Sequence, residues 1–346
     1  MRSSFPYVFR DRAIDVVCRW EVKLFSKYVE SPIVWYGGKR AIREFIFSIM
    51  PYVISRYVEV FGGGAAILLG KEQSKFEVYN DFNSDLVNLF RCIKERPLAF
   101  LQEVSCFPLN SRQEFKLLLE FMSGVEPDFT EYRRQEEQIA REYFNEAELA
   151  QTLKMINGRA QLYDVKRAAA FYKLIRYSYG GGGRSFGGQP VNLINTIENI
   201  YAVSNRLKNV VIENKDFESL IKTHDREDTF FYLDPPYVNT ESYYQVEFKK
   251  EDHIRLYDTL KTTAGKWLLS YNDCAYIKDL YQDYCIIELS RPNSLAQKYQ
   301  AGSEFKELLI ANYDVNERAK HGIVQLSIFE EELYGRNYLQ DYRNKR

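Results

Sequence analysis

The run Asp234-Pro235-Pro236-Tyr237 sets a carboxylate, two prolines and an aromatic ring directly after the apolar segment Phe230–Leu233 (FFYL). Two prolines end a strand and stiffen the backbone behind it. The carboxylate is then left at the carboxyl edge of a sheet, where α/β proteins bind ligands. A carboxylate beside a proline carbonyl offers two acceptors to an NH2 group, and the ring of Tyr237 can stack on the heterocycle that carries the amine. Asp234, Pro235, Pro236 and Tyr237 are the candidate catalytic residues. The set suits a base turned out of a nucleic-acid stack, and the amine of adenine or of cytosine meets its requirements.

A second set lies upstream. Tyr57–Phe61 (YVEVF) runs into Gly62-Gly63-Gly64, then a helix-compatible stretch Ala65–Gly70, then Phe76–Tyr79 (FEVY) ending at Asn80-Asp81. Glycines in such a turn let the backbone approach a ligand and let the helix pack close to the strand. Asp81 lies 19 residues past Gly62, where an acid at the tip of the next strand can take both hydroxyls of a ribose. The turn lacks the GxGxxG of dinucleotide sites, so an adenosyl ligand without a pyrophosphate fits better than NAD and a dinucleotide oxidoreductase is disfavoured.

A third set is cationic. Residues 158–190 hold six basic residues and one acidic residue, net +5, whereas 126–150 hold eight acidic and three basic, net −5. A total charge of −1 therefore conceals a local basic patch. Arg167, Lys173, Arg176 and Arg184, with Tyr179 among them, are candidate DNA contacts, because arginines bridge phosphates or read guanine edges and aromatics fill the gap left by an extruded base.

These residues need a frame. Seven β-branched or aromatic runs read as buried strands: 57–61, 76–79, 210–213, 230–233, 267–271, 285–289 and 308–313. Helical patterns such as Asp85–Lys94 and Asp252–Thr262 separate many of them, which predicts an α/β sheet covered on both faces. Strand signal disappears between about 90 and 200, and Tyr179–Gly188 (YGGGGRSFGG) cannot be a regular element. The expected organisation is an N-terminal extension over 1–30, a catalytic domain over 31–95 and 196–315, a helical target-recognition insert over 96–195 with a glycine-rich hairpin loop, and a charged tail over 316–346.

Composition narrows the class. No apolar run approaches the roughly 18 residues of a membrane helix. The five cysteines are odd in number and none is in CxxC spacing, which points to free thiols in a reducing cytoplasm. His224, His253 and His321 stand far apart and form no metal motif. No metal is expected, and the oligomeric state stays open, a monomer included.

The motifs, in this order, resemble the Dam family of DNA adenine N6-methyltransferases. Pro32–Arg40 (PIVWYGGKR) resembles the family's opening cofactor motif, Glu59–Ala65 (EVFGGGA) its glycine turn, and Tyr79–Ile93 its ND-x-N-x-x-L-x-N segment. Glu213–Phe217 (ENKDF) resembles the motif before the catalytic strand, and Ser270–Asn272 and Glu307–Tyr313 later strand motifs. The resemblance implies a Rossmann-like methyltransferase fold with a mixed seven-stranded sheet, S-adenosylmethionine as cofactor and double-stranded DNA as partner. It implies that Trp35, Tyr36 and Lys39 contact the methionine end of the cofactor, that Phe61, Gly62 and Gly64 wrap it, that Asp81 binds ribose, and that Asp216 and Phe217 address its adenine. Asp234 would hold both the target amine and the cofactor side of the site, Tyr237 would stack on the base, and Tyr244, with Tyr243 as competitor, would pack nearby. In the recognition loop, Arg176 to Arg184 carries four glycines where the family has Asn-Gly.

An adenine amine is a poor nucleophile, because its lone pair is conjugated into the ring. Acceptance of its two N–H bonds by Asp234 and the Pro235 carbonyl would localise that pair for direct in-line transfer. Two rivals share these motifs: a cytosine N4 methyltransferase and a DNA-binding relative without catalysis.

Overall fold

The computed structural model describes residues 28–105, 110–123, 128–146, 148–150, 152–153, 164–188, 196–238, 248–292 and 304–317. The expectations for residues 1–27, for Tyr243 and Tyr244 and for the tail beyond 317 lie outside the described residues.

All seven expected runs are strands of one sheet: β1 (Arg56–Glu59), β2 (Phe76–Asn80), β3 (Val210–Glu213), β4 (Thr229–Leu233), β5 (Lys266–Asn272), β6 (Cys285–Pro292) and β7 (Glu304–Ala311). Their order is β3-β2-β1-β4-β5-β7-β6. β1 to β5 are parallel, and β7 runs antiparallel to both its neighbours. The sheet is mixed and seven-stranded, as expected. β7 ends before the residues read as its last, for a reason visible at Asn312: its amide accepts from Trp267 N (2.8 Å) and donates to the Gly265 carbonyl (3.0 Å), so a side chain takes over from the ladder there.

Alternation along the strands builds two cores. Phe230 and Tyr232 face one side of β4 with Tyr57 and Tyr79. Phe231 and Leu233 face the other with Val58, Val60, Val78 and Trp267. The described helices cover both faces. α1 (Arg43–Ile49) and α2 (Ala66–Gly70) precede β2, and α3 (Ser84–Glu95) follows it. Asn83 caps α3 by accepting from Asp85 N (2.9 Å) and Leu86 N (3.3 Å), and Leu86, Leu89, Phe90 and Ile93 then fall on one buried face.

The stretch expected to be helical contains α4 (Pro97–Ser105), α5 (Arg112–Met122), α6 (Asp128–Tyr143) and α7 (Val165–Tyr177), and α8 (Ile197–Leu207) returns the chain to β3. α7 packs against α3, α4 and α5. Its buried Ala168, Phe171, Tyr172 and Leu174 join Phe100 and Phe115 in the same core as the α1- and α3-side of the sheet. Three further helices stand in the second half: α9 (Phe217–His224), α10 (Lys250–Lys261) and α11 (Ala275–Leu280). Among the described residues no helix is long and apolar enough to cross a membrane.

α8 is fastened by a buried cation. Arg206 donates to both oxygens of Glu77 on β2 and to the Leu68 carbonyl of α2 (2.7 Å). Lys71 pairs with the same carboxylate and lies 4.4 Å from the Tyr57 ring centre. Removing Arg206 would leave Lys71 beside the buried carboxylate but take away its bidentate bonds, and losing a hydrogen bond to a charged group costs about 1.5–3 kcal/mol. Arg206→Met is therefore expected to lose stability on that scale, read as a lower midpoint of chemical denaturation; an unchanged midpoint would show the cluster to be idle.

Candidate active site

The order of the sheet reverses between β1 and β4, since the chain proceeds outward from β1 to β2 on one side and from β4 to β5 on the other. The crevice outside the strand ends at such a point is where α/β sheets bind ligands. Here it is a partly open cleft. Trp35, Tyr36, Lys39, Phe61, Gly62, Gly64, Asp81, Asp216, Phe217, Asp234 and Pro236 all line it, so residues from five separate motifs converge.

The glycine turn closes on itself and on β2: Gly62 N donates to the Asn80 carbonyl and Ala65 N to the Gly62 carbonyl, both at 2.7 Å. A Cβ on Gly62 would come within 2.2 Å of the Tyr79 ring, and one on Gly64 within 3.0 Å of Trp35. Gly63 has φ +48 and also faces Trp35. The missing side chains thus make room for the rings of Tyr79 and Trp35, a close packing within the protein.

Asp81 sits just past β2 with both oxygens engaged by backbone: Oδ2 accepts from Gly63 N (2.8 Å) and Oδ1 from Asn83 N (2.7 Å). Burial pushes its carboxyl up to about 6, and these N–H groups oppose the rise. The Asn80 amide donates to the Val60 and Lys215 carbonyls and accepts from Lys215 N, so one side chain ties the ends of β1, β2 and the β3–α9 loop together.

Asp234 follows β4 directly, and its carboxylate meets Lys39 Nζ at 2.7 Å. Lys39 is 3% exposed, donates also to the Gly37 carbonyl (2.9 Å) and lies 4.9 Å from the centre of the Tyr237 ring. The ammonium expected at the methionine end of a cofactor is thus bonded to the catalytic-strand carboxylate. Burial pushes the Asp234 carboxyl up to about 6; Lys39 holds it down and Glu307 adds to the rise. Tyr237 is buried, its ring beside Tyr271 and Phe305 and its hydroxyl 3.5 Å from Glu307. Its ring therefore does not stand open on the cleft as a stacking surface; Lys39 covers one face.

At the other end of the cleft Phe61, Phe217 and Phe248 contact one another with ring centres 5.7–5.9 Å apart. Asp216 caps α9 by accepting from Glu218 N (3.0 Å), and it is paired with Arg255.

The expected DNA contacts divide. Lys173 is buried with Nζ 3.9 Å from Glu114, inside the packing of α7 on α5, so it is withdrawn from phosphate contact; this corrects the sequence reading. Arg167 is partly exposed and bonds Asp85 (2.7 Å), and Arg176 is half-buried. Tyr179 and Arg184 are exposed on a short hairpin closed by the Ser178↔Phe186 bridge and by Tyr179 N to the Ser185 carbonyl (2.8 Å). That hairpin rests on the strap before Lys39: a Cβ on Gly181 would fall 2.0 Å from the Val34 carbonyl.

Glu59, Phe248, Asp252 and Arg255 also line the cleft and were not singled out. Glu59 accepts from Tyr57 Oη (2.7 Å), and burial pushes its carboxyl up to about 8. A carboxylate inside the apolar run YVEVF was the available signal, since such groups are rarely buried without a reason.

A family model for D12 class N6 adenine-specific DNA methyltransferases matches residues 35–294, about three quarters of the chain. The Type II methyltransferase M1.LlaDCHI of Lactococcus lactis subsp. cremoris is 26% identical over 300 residues, 81% of this chain and 94% of that protein. The Type II methyltransferase M.CviBI of Paramecium bursaria Chlorella virus NC1A is 27% identical over 265 residues, covering 75% and 90%. A DNA adenine methylase of Vibrio cholerae serotype O1 is 24% identical over 288 residues, covering 80% and 93%. The matched span holds the glycine turn, Asp81, Asp216 and the Asp234–Tyr237 run, the same residues that the sheet brings to one cleft. This chain belongs to the D12 class of N6 adenine-specific DNA methyltransferases.

Proposed function

We propose that the cleft binds S-adenosylmethionine and that the chain methylates N6 of an adenine turned out of double-stranded DNA, with Asp234 and the Pro235 carbonyl holding the amine. The observation that carries this reading is the Asp234 carboxylate, fixed at the end of β4 beside a cleft whose donors and acceptors suit an adenosyl amino acid. Asp81 offers an acceptor for a ribose hydroxyl pair, and Phe61, Phe217 and Phe248 give apolar walls for a purine. Lys39 and Asp234 supply both signs of charge for a zwitterionic tail, and Trp35 and Tyr36 line the same cleft. Among the described residues lining the cleft, carboxylates outnumber cations, which suits a cationic ligand better than a pyrophosphate.

The cofactor supplies a methyl group on a sulfonium, and the protein supplies the rest. Asp234 is 20% exposed on the floor of the cleft, out of reach of an amine inside a duplex, so the base must be extruded to meet it. Charged Asp234 accepts one N–H and the Pro235 carbonyl the other, which localises the lone pair and aims it. Transfer is direct, and the amine's surplus proton leaves to water. For Tyr237 to stack on the base, the Lys39 ammonium must leave its ring face. Tyr179 and Arg184 on the hairpin, with Arg167 and Arg176, are the groups offered to DNA.

Asp234→Ala is expected to lower methyl transfer by about 10²–10³-fold or more, with cofactor binding by calorimetry largely retained. Nucleoside mass analysis of DNA methylated by the unaltered protein should show N6-methyladenine. Wild-type-like turnover in the variant would sink the assignment, and N4-methylcytosine would change the target.

The charged form of Asp234 is the one that accepts an N–H bond. At saturating cofactor, the rate should be flat above neutrality and decline as pH drops through about 6. Lys39→Met removes the cation that holds the carboxylate ionised, so this acid limb should move upward by about one pH unit or more. A limb that stays in place in the variant would show that Lys39 does not set the charge of Asp234.

A further inference from the structure

Arg255 belongs to no motif of the sequence, yet it reaches into the purine end of the cleft from α10. Its two terminal nitrogens grip both oxygens of Asp216, Nη1 to Oδ1 at 2.8 Å and Nη2 to Oδ2 at 2.9 Å. The same nitrogens bond Glu218 (3.2 Å) and Asp252 (2.9 Å), and the guanidinium carbon lies 4.0 Å from the centre of the Phe217 ring. A planar fork on a carboxylate sets its plane as well as its place, which a single-point ammonium cannot do. Asp216 sits at the N-terminus of α9, whereas Arg255 is 39 residues further along, past the catalytic motif. The carboxylate's rotamer is thus set from a different element than the one that carries it.

We propose that Arg255 is a positioning residue for cofactor selectivity: it holds Asp216 in the orientation from which the carboxylate accepts the exocyclic amine of the cofactor's purine. This rests on the reading that Asp216 faces that amine. The geometry favours selection of a 6-amino purine. A carboxylate fixed in place welcomes an N–H donor and repels a 6-oxo group, whereas a carboxylate free to rotate discriminates less, because it can turn away from the wrong base. Stacking on Phe217 keeps the fork itself from drifting, and Asp252, which also closes the N-terminal turn of α10 through Lys249 N (2.8 Å), orients it from behind.

The test uses two ligands that differ at the 6-position of the purine and in the proton that the 6-oxo form carries on N1, S-adenosylhomocysteine and S-inosylhomocysteine, titrated calorimetrically into the full chain. The unaltered protein is expected to prefer the adenosyl ligand by about 10- to 100-fold. Arg255→Met should reduce that preference to about threefold or less, mainly by weakening the adenosyl ligand. Arg255→Lys, which keeps the charge and the fold but not the fork, should recover at most part of the preference. A merely structural role predicts instead that Arg255→Met weakens both ligands alike and leaves their ratio intact, and that result overturns the proposal. Asp216→Asn separates the two ideas. If it collapses the ratio while Arg255→Met does not, Asp216 reads the purine and Arg255 does not position it. If it leaves the ratio unchanged, the reading of Asp216 fails and the proposal falls with it.

Discussion

Burying a carboxylate at the end of the central strand favours its neutral form, and a neutral Asp234 is a poor acceptor for an amine. Lys39 opposes that tendency. Its ammonium reaches Asp234 across 195 residues of sequence and also bonds the Gly37 carbonyl of its own loop. The pair joins the strap before α1 to the end of β4, so the segment that carries Trp35 and the strand that carries the catalytic run are set against each other by one charge contact. Much else serves this contact: Trp35 fills the space left by Gly63 and Gly64, Tyr237 lies under the ammonium, and Glu307 stands behind Tyr237. An ion pair this buried is not in itself a source of stability. Its effect is electrostatic, since the ammonium opposes the rise that burial imposes on the Asp234 carboxyl.

The two ends of the cleft use carboxylates in the same manner and satisfy them differently. Asp81 is held by backbone N–H groups of its neighbouring turns, Asp234 by an ammonium and Asp216 by a guanidinium fork. Each device fixes an acceptor before any ligand arrives. Preorganised acceptors need not be reordered when charge shifts during reaction.

The sheet was legible in the sequence because its central strands are apolar on both faces and read as short uninterrupted runs, as FFYL at β4 shows. The glycine turn and the Asp234 run were legible because both combine residue types that only a strand end tolerates. What escaped depends on distant partners. Lys173 reads as a phosphate contact in the sequence, but it is buried where α7 packs on α5, with Nζ 3.9 Å from Glu114. Tyr237 is an aromatic close to Asp234 in sequence, but its ring is turned toward Tyr271 and Phe305 on strands β5 and β7. Arg255 is one charge on an amphipathic helix, and nothing in its spacing distinguishes it from a solvated residue. β7 ends before the apolar run does, because an asparagine amide replaces the ladder at that strand end.

The helices between α3 and α8 leave and re-enter the sheet at one margin, between β2 and β3, while the chemistry sits at the junction of β1 and β4. α3 and α8 pack together where the excursion begins and ends. The excursion is therefore a parenthesis in the fold. Its length and surface can diverge without altering the register of the two strands that carry Glu59 and Asp234. Changes in its length therefore enter the chain at that margin, and not between the two strands whose ends bring Glu59 and Asp234 to one cleft.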